Sequence, residues 1–225
     1  MKYRLEFDID FKRNTYPGRY IVLECVDGSG KTTQVERISR YFKSQSKKVI
    51  VVSEPRKKGL VGDLIQKVLY GQVKIPAVAV QYLFSADRSI HHEEIIIPAL
   101  KAGTTVISDR SFWSAIVYGI LDKTGGTYND RDANAFFIAQ SILSMYHQFL
   151  VADYTFYLKV SLATALSRLK KEGKKQEIYE EEGKLTKIID GYDWLVSKFP
   201  EEFIVVEGDN SVIKVTNDIL DKLPK

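Results

Sequence analysis

The sequence predicts a three-layer α/β/α domain on a five-stranded parallel sheet, and three observations carry that prediction. Five short apolar runs, rich in Val, Ile and Tyr, stand at wide spacing: Tyr20–Cys25, Val49–Ser53, Thr104–Ser108, Tyr154–Lys159 and Phe203–Val206. Stretches of helical period separate them, so strand alternates with helix. The runs are continuous rather than alternating, as strands buried on both faces of a parallel sheet are. Ahead of them, Tyr3, Leu5, Phe7, Ile9 and Phe11 recur at period two, which predicts an extra, half-buried N-terminal strand. Asn14 to Gly18 reads as a turn. The expected organisation is an extension over 1–17 and a single domain over 18–225.

At 225 residues the chain can bury one substantial core. Hydrophobic residues make up 44% and charged residues 28%, the balance of a soluble globular domain and not of a disordered one. Lys and Arg outnumber Asp and Glu by 33 to 29. That excess is too small and dispersed for a nucleic-acid surface and suits small anionic ligands. Cys25 is the sole cysteine, so no intrachain disulfide can form. No segment approaches ~18 uninterrupted apolar residues, so no membrane span is expected. The N-terminus lacks the apolar core of a signal peptide. A cytoplasmic location is the default expectation.

The first chemical signal follows the first apolar run. Cys25-Val26-Asp27-Gly28-Ser29-Gly30-Lys31-Thr32 lies between that run and Val35, Ile38 and Phe42 at helical spacing. Strand, glycine turn and helix form the context in which a P-loop, G-x-x-x-x-G-K-[ST], cradles phosphates. Backbone N–H groups from Asp27 through Gly28, Ser29, Gly30, Lys31, Thr32 and Thr33 are expected to face ATP, and the helix N-terminus adds partial positive charge. Lys31 is placed to reach the β- and γ-phosphates and Thr32 to ligate Mg²⁺. Cys25 replaces the motif's first glycine, and a side chain there is expected to strain the loop slightly. Its thiol is expected to be buried rather than reactive.

A second group of residues lies downstream. Phe84 and Arg88, in Leu83-Phe84-Ser85-Ala86-Asp87-Arg88, are four apart and share one helix face. An aromatic ring can stack on a base, and a guanidinium can donate to a carbonyl such as thymine O4. Spacing alone leaves open that Phe84 is core and Arg88 a surface ion-pair partner. Asp109-Arg110 follows Thr104–Ser108 at a strand's C-terminal end, where α/β sheets bind ligands. Arg110 suits a bidentate grip on a phosphate, and Asp109 suits support of Mg²⁺ through water.

These motifs, with D-G-S-G-K-T-T-Q at 27–34, His91 and P-A-L-x-x-G at 98–103, make the chain from about Gly18 to its C-terminus similar to thymidylate kinase. The resemblance implies ATP with Mg²⁺ as donor, dTMP as acceptor and a homodimer through packed helices. It implies that Phe84 and Arg88 hold the base, that Arg110 contacts the acceptor phosphate and that Asp27 contacts the sugar or the phosphate-bearing end. Glu54, Ser114 and Tyr118 belong to the same acceptor side, with Tyr118 closing over the deoxyribose. Three departures bear on base specificity. Ser111 stands where the family has an aromatic, Gly119 where it has glutamine, and Ser53 where bacterial members have arginine; Arg56 is the candidate substitute for the last.

Phosphoryl transfer needs cations around the migrating group. Some thymidylate kinases place an arginine inside the loop, but here that position is Gly28. Others carry basic residues in a lid, and Lys170–Gly183, with almost no apolar residues, reads as such a mobile excursion. Arg168 is the first candidate because its planar fork fits phosphate oxygens, ahead of Lys171, Lys174 and Lys175. His91, His92 and His147 show no metal-binding spacing and are expected to be surface or packing residues. Two other readings stay open on the sequence. D-R-S-x-x-S at 109–114 echoes deoxynucleoside kinases, and Cys25 with Gly119 would suit a P-loop protein without transfer activity.

Overall fold

The computed structural model describes residues 10–128, 141–143, 145, 148–172 and 177–224. The strands are β1 (Lys12–Arg13), β2 (Tyr20–Glu24), β3 (Val49–Ser53), β4 (Thr105–Asp109), β5 (Leu150–Val151), β6 (Tyr154–Lys159) and β7 (Ile204–Glu207). The helices used below are α1 (Lys31–Ser44), α2 (Leu60–Leu69), α3 (Ala77–His91), α4 (Ile97–Lys101), α5 (Phe112–Thr124), α6 (Leu162–Glu172), α7 (Glu182–Lys198) and α8 (Val212–Leu220). The five expected runs are all strands of one sheet, ordered β3-β4-β2-β6-β7, with every neighbouring pair parallel.

β2 explains why its run is continuous. Successive side chains of a strand point to opposite faces. Ile21 and Leu23 enter the core with Val35, Ile38 and Phe42 of α1. Tyr20 and Val22 enter a second core with Ile96 and Leu100, where α3 continues through a π turn into α4. Both faces are covered, so both need apolar residues. α1 packs with α8, while α5 packs with α3 and α7, which gives the helical layers.

The sheet order also sets the position of the site. β2 lies between β4 and β6, and Leu23 stands opposite Asp109, which in turn stands opposite Ser53 of β3. The ladder runs one residue further: Arg110 N donates to Leu23 O and Glu54 N to Asp109 O. The loop after β2, Glu54 and Asp109-Arg110 therefore leave the sheet side by side at its C-terminal edge, where open α/β sheets bind ligands.

The expected N-terminal strand over 3–11 lies outside the described residues except for its end. Just beyond it, β1 pairs with β5 in a separate two-stranded parallel sheet. The expected turn is present: Asn14 Nδ2 donates to Gly18 O at 2.8 Å, and Tyr16 N donates to Asn14 Oδ1 at 3.1 Å. The Phe11 ring centre lies 5.5 Å from Trp113, 6.0 Å from Phe112 and 6.3 Å from Phe199. Arg13 bonds Glu202 through both carboxylate oxygens. The extension is thus fastened to the start of α5 mainly by aromatic packing, because an exposed ion pair contributes little. Phe11→Ala should lower unfolding free energy by ~2 kcal/mol, seen as a lower urea midpoint at unchanged slope. Arg13→Ala should cost ~1 kcal/mol or less in the same titration.

Candidate active site

The loop after β2 turns on Gly28 and Gly30, with φ of 79° and 92°, values that glycine adopts without steric cost. The strain expected at Cys25 is not found. Among the described residues, positive φ outside glycine occurs only at Ser46 and Arg110. Cys25 continues the buried strand, and its thiol lies in the core. Burial, against the opposing charge of Lys31, pushes that thiol up to about 11, so it stays protonated and inert at neutral pH.

A side chain at Gly28 would run into the Ala165 carbonyl of α6. An arginine therefore has no room in the loop, and α6 brings one from outside. Arg168 Nη1 donates to Ser29 O at 2.8 Å and Nη2 to Gly208 O at 2.9 Å. Lys31 Nζ donates to Val26 O at 2.9 Å and lies 3.7 Å from Asp27. Thr32 Oγ1 donates to Asp109 Oδ2 at 2.9 Å, while Thr33 is exposed on the first turn of α1. Lys171 is exposed at the end of α6. Lys174 and Lys175 lie outside the described residues.

Arg110 is the centre of the acceptor side. It is held at φ 74°, an unfavourable conformation for a residue with a side chain. Its Nη1 donates to Cys25 O at 2.7 Å, Tyr192 OH at 3.2 Å and Ser114 Oγ at 3.3 Å. Its Nη2 donates to Asp27 Oδ1 at 2.7 Å. The Tyr118 ring lies under the guanidinium, 5.2 Å away, in cation–π geometry. Burial would raise the Asp27 carboxyl, but Arg110 and Lys31 outweigh it and hold it below its ordinary range. Among the described residues, no partner takes the Arg110 Nε–H. With five donors on a guanidinium, that N–H and the second Nη2 proton are left for a ligand.

A second buried charge cluster surrounds Glu54. Arg88 Nε donates to Glu54 Oε2 at 2.5 Å, and His91 Nδ1 and His92 Nε2 lie 3.4 and 3.8 Å from Glu54 Oε1. Burial acts to raise Glu54, yet Arg88, His91 and His92 together bring it down to about 2. His91 and His92 are thus packing residues, each 3% exposed. Phe84 packs partly buried against the main core, one turn from Arg88. Arg56, the candidate substitute for an arginine at 53, is paired with α3. Its backbone N and Nε both donate to Asp87 at 2.8 Å, which commits it to α3. Beside Tyr118, the Tyr179 ring meets it edge-on at 4.8 Å while its hydroxyl donates to Asp122 at 2.8 Å.

The sequence reading missed Glu24 and Tyr192, which sit beneath Arg110. The signal for Glu24 was present: a carboxylate inside an otherwise apolar run. Nothing local marked Tyr192. The departure at Gly119 has a steric reason. A side chain there would collide with Ile142 Cδ1, and its first carbon would lie 3.5 Å from Gln81 Nε2.

A phosphate loop and a buried arginine on adjacent strand ends define a P-loop phosphotransferase. The thymidylate kinase family model matches residues 23–219, and this chain belongs to the thymidylate kinase family, a family of ATP-dependent nucleoside monophosphate kinases. It is 31% identical over 210 residues to a thymidylate kinase of Caldicellulosiruptor saccharolyticus, covering 92% of this chain and 95% of that one. It is 32% identical over 207 residues to a thymidylate kinase of Thermosipho africanus, covering 89% and 94%. The solved thymidylate kinase of Candida albicans matches with a TM-score of 0.76 over 91% of this chain and 90% of that one, at 23% identity, a likeness of fold.

The Glu54 cluster is expected to lower the stability of the fold in acid. A carboxyl held down in the folded state stabilises above its unfolded pKa and loses that contribution as pH falls through the folded value. His92 acts in the same direction. Burial first, against the pull of Glu54, holds its imidazole down to about 4, so the unfolded chain takes up that proton first. The stability gap between the parent and Glu54→Gln should be widest above about pH 5 and shrink steadily toward pH 2. Denaturant titrations at several pH values measure it, and a gap independent of pH would remove Glu54 as the cause.

Proposed function

We propose that this site transfers the γ-phosphate of ATP to dTMP, giving dTDP and ADP. The observation that carries the reading is the fixed Arg110 guanidinium, whose Nη2 donates to Asp27 while its Nε–H and second Nη2 proton stay available, next to the donor loop at one sheet edge. Those two donors match two oxygens of an acceptor phosphate. Phe84 and Arg88 then take the base, Tyr118 covers the sugar, and Asp27 orients the phosphate-bearing end. Family membership supports each of these roles.

On the donor side, Lys31 takes the β- and γ-phosphates, and the N–H groups of 27–33 surround them. Thr32 and Asp109 would hold Mg²⁺. A hydroxyl and a carboxylate already 2.9 Å apart fit an ion that takes one or two carboxylates and completes its shell with phosphate and water. Bound there, the ion supplies positive charge to the β- and γ-oxygens. An acceptor phosphate is already an oxyanion, so no strong general base is needed. Alignment and charge stabilisation carry the reaction. Arg168, with both Nη groups on neutral carbonyls, is the cation nearest the loop that can turn to the migrating group. Residues 170–183, in which Tyr179 packs against Tyr118, would act as the lid, with 18–225 as one catalytic domain and 1–17 as an N-terminal extension. The same reading takes the enzyme as a cytoplasmic homodimer; among the described residues no helix is long and apolar enough to cross a membrane.

A coupled assay of ADP release with dTMP, dUMP, dCMP and thymidine tests the substrate. dTMP is expected to be turned over best. Turnover of thymidine without dTMP would replace this reading with a deoxynucleoside kinase. Lys31→Ala should lower kcat on the order of 10²-fold or more with modest change in KM. Arg110→Ala should raise KM for dTMP roughly 10- to 100-fold and leave KM for ATP unchanged.

A further inference from the structure

Glu24 is the last residue of β2, and none of its surface is exposed. It follows Tyr20 and Val22 on one strand face, but where they meet apolar neighbours it meets four hydrogen-bond donors. Its Oε1 accepts from Ser111 N and Ser111 Oγ, both at 2.7 Å. Its Oε2 accepts from Ser114 Oγ at 2.6 Å and Tyr192 OH at 2.9 Å. Those two hydroxyls are 2.8 Å apart, and both accept from Arg110 Nη1.

We propose that Glu24 is a positioning residue for the acceptor arginine, acting through the hydroxyls of Ser114 and Tyr192. The inference rests on the reading of Arg110 as the group that grips the acceptor phosphate. A hydroxyl carries one proton and two lone pairs. A proton given to a carboxylate cannot also point at a guanidinium, so the lone pairs of both hydroxyls turn toward Arg110. The carboxylate thereby converts two rotatable groups into oriented acceptors. With Cys25 O, they fix Nη1 and aim the Nε–Nη2 edge at the ligand. Through Ser111, which also caps the first turn of α5, Glu24 sets the start of the helix that carries Ser114. Burying a carboxylate costs far more than burying its amide, so filling space alone would favour glutamine. The D-R-S-x-x-S pattern acquires a use here: both of its serines grip Glu24.

Glu24→Gln tests this, because it keeps the shape and replaces one acceptor oxygen with a donor nitrogen. One hydroxyl proton must then face Arg110. The expected result is a roughly 10-fold rise in KM for dTMP, with KM for ATP within about twofold and a melting temperature within a few degrees. Tyr192→Phe is the milder companion. Tyr192 is fully buried, so it cannot touch substrate and can act only through this network. It should raise KM for dTMP selectively, and Glu24→Gln should add little to Ser114→Ala/Tyr192→Phe. An activity-free readout is the Arg110 Nε–H signal in ¹⁵N NMR, assigned by its loss in Arg110→Ala. It should shift or broaden in Glu24→Gln and in Tyr192→Phe. An unmoved signal, an unchanged KM for dTMP in both variants, equal effects on ATP and dTMP, or full multiplicative effects in the triple variant would overturn the proposal. If the parent enzyme does not turn over dTMP while the Arg110 signal moves as expected, the substrate reading fails and the positioning role stands.

Discussion

The acceptor side of this protein depends on where Arg110 is held. Its backbone sits at a positive φ that costs on the order of 1–3 kcal/mol in a residue with a side chain. The surroundings over-determine that conformation. Arg110 N continues the ladder onto Leu23 O, and the guanidinium bonds Cys25 O and Asp27 of the loop, Ser114 of α5 and Tyr192 of α7. The loop, α5 and α7 are thereby referred to one planar group. Charge-assisted hydrogen bonds in a partly dry site are among the strongest available, and together they offset the strain.

Both ends of the acceptor site repeat one device. Arg110 faces Asp27 at the end proposed for the phosphate, and Arg88 faces Glu54 at the end proposed for the base. In each case a buried carboxylate removes the guanidinium's freedom and most of its uncompensated charge. A lone buried arginine would be expensive and mobile; a paired one is satisfied and fixed. The device also limits the energetics. The ligand adds to an existing pair and does not rescue an unpaired charge, so much of the binding energy must come from geometry and from the base.

The sequence made the frame legible and left the supporting polar residues hidden, for a physical reason. Parallel strands announce themselves as local apolar runs, and all five lie within a residue of their expected bounds. The P-loop and Asp109-Arg110 are local motifs, so they were legible too. The partners of Glu24 are 87 to 168 residues away, and no periodicity records such a pairing. Those of Glu54 are 34 residues away or more. The sequence leaves His91 and His92 as surface or packing residues, and the fold settles it by burying both. At Cys25 the motif misled. The first P-loop position here keeps an ordinary backbone conformation, and the strain lies across the sheet at Arg110.

The departures from the family pattern then form a connected set. Ser111 gives up an aromatic and becomes the cap and tether that hold α5 to Glu24. Gly119, one turn beyond Ser114 on α5, lets Ile142 and Gln81 of α3 approach a helix whose start is already fixed. Gly28 lets α6 lie directly on the phosphate loop, and the same helix then delivers Arg168. At Gly119 and Gly28 the missing side chain leaves room for a neighbouring element, while Ser111 supplies the polar group itself. For the transferring phosphate, the loop itself then offers Lys31 and no arginine. On the proposed reading the remaining charge arrives with α6 as Arg168, so neutralisation of the transition state would depend on how that helix docks on the loop.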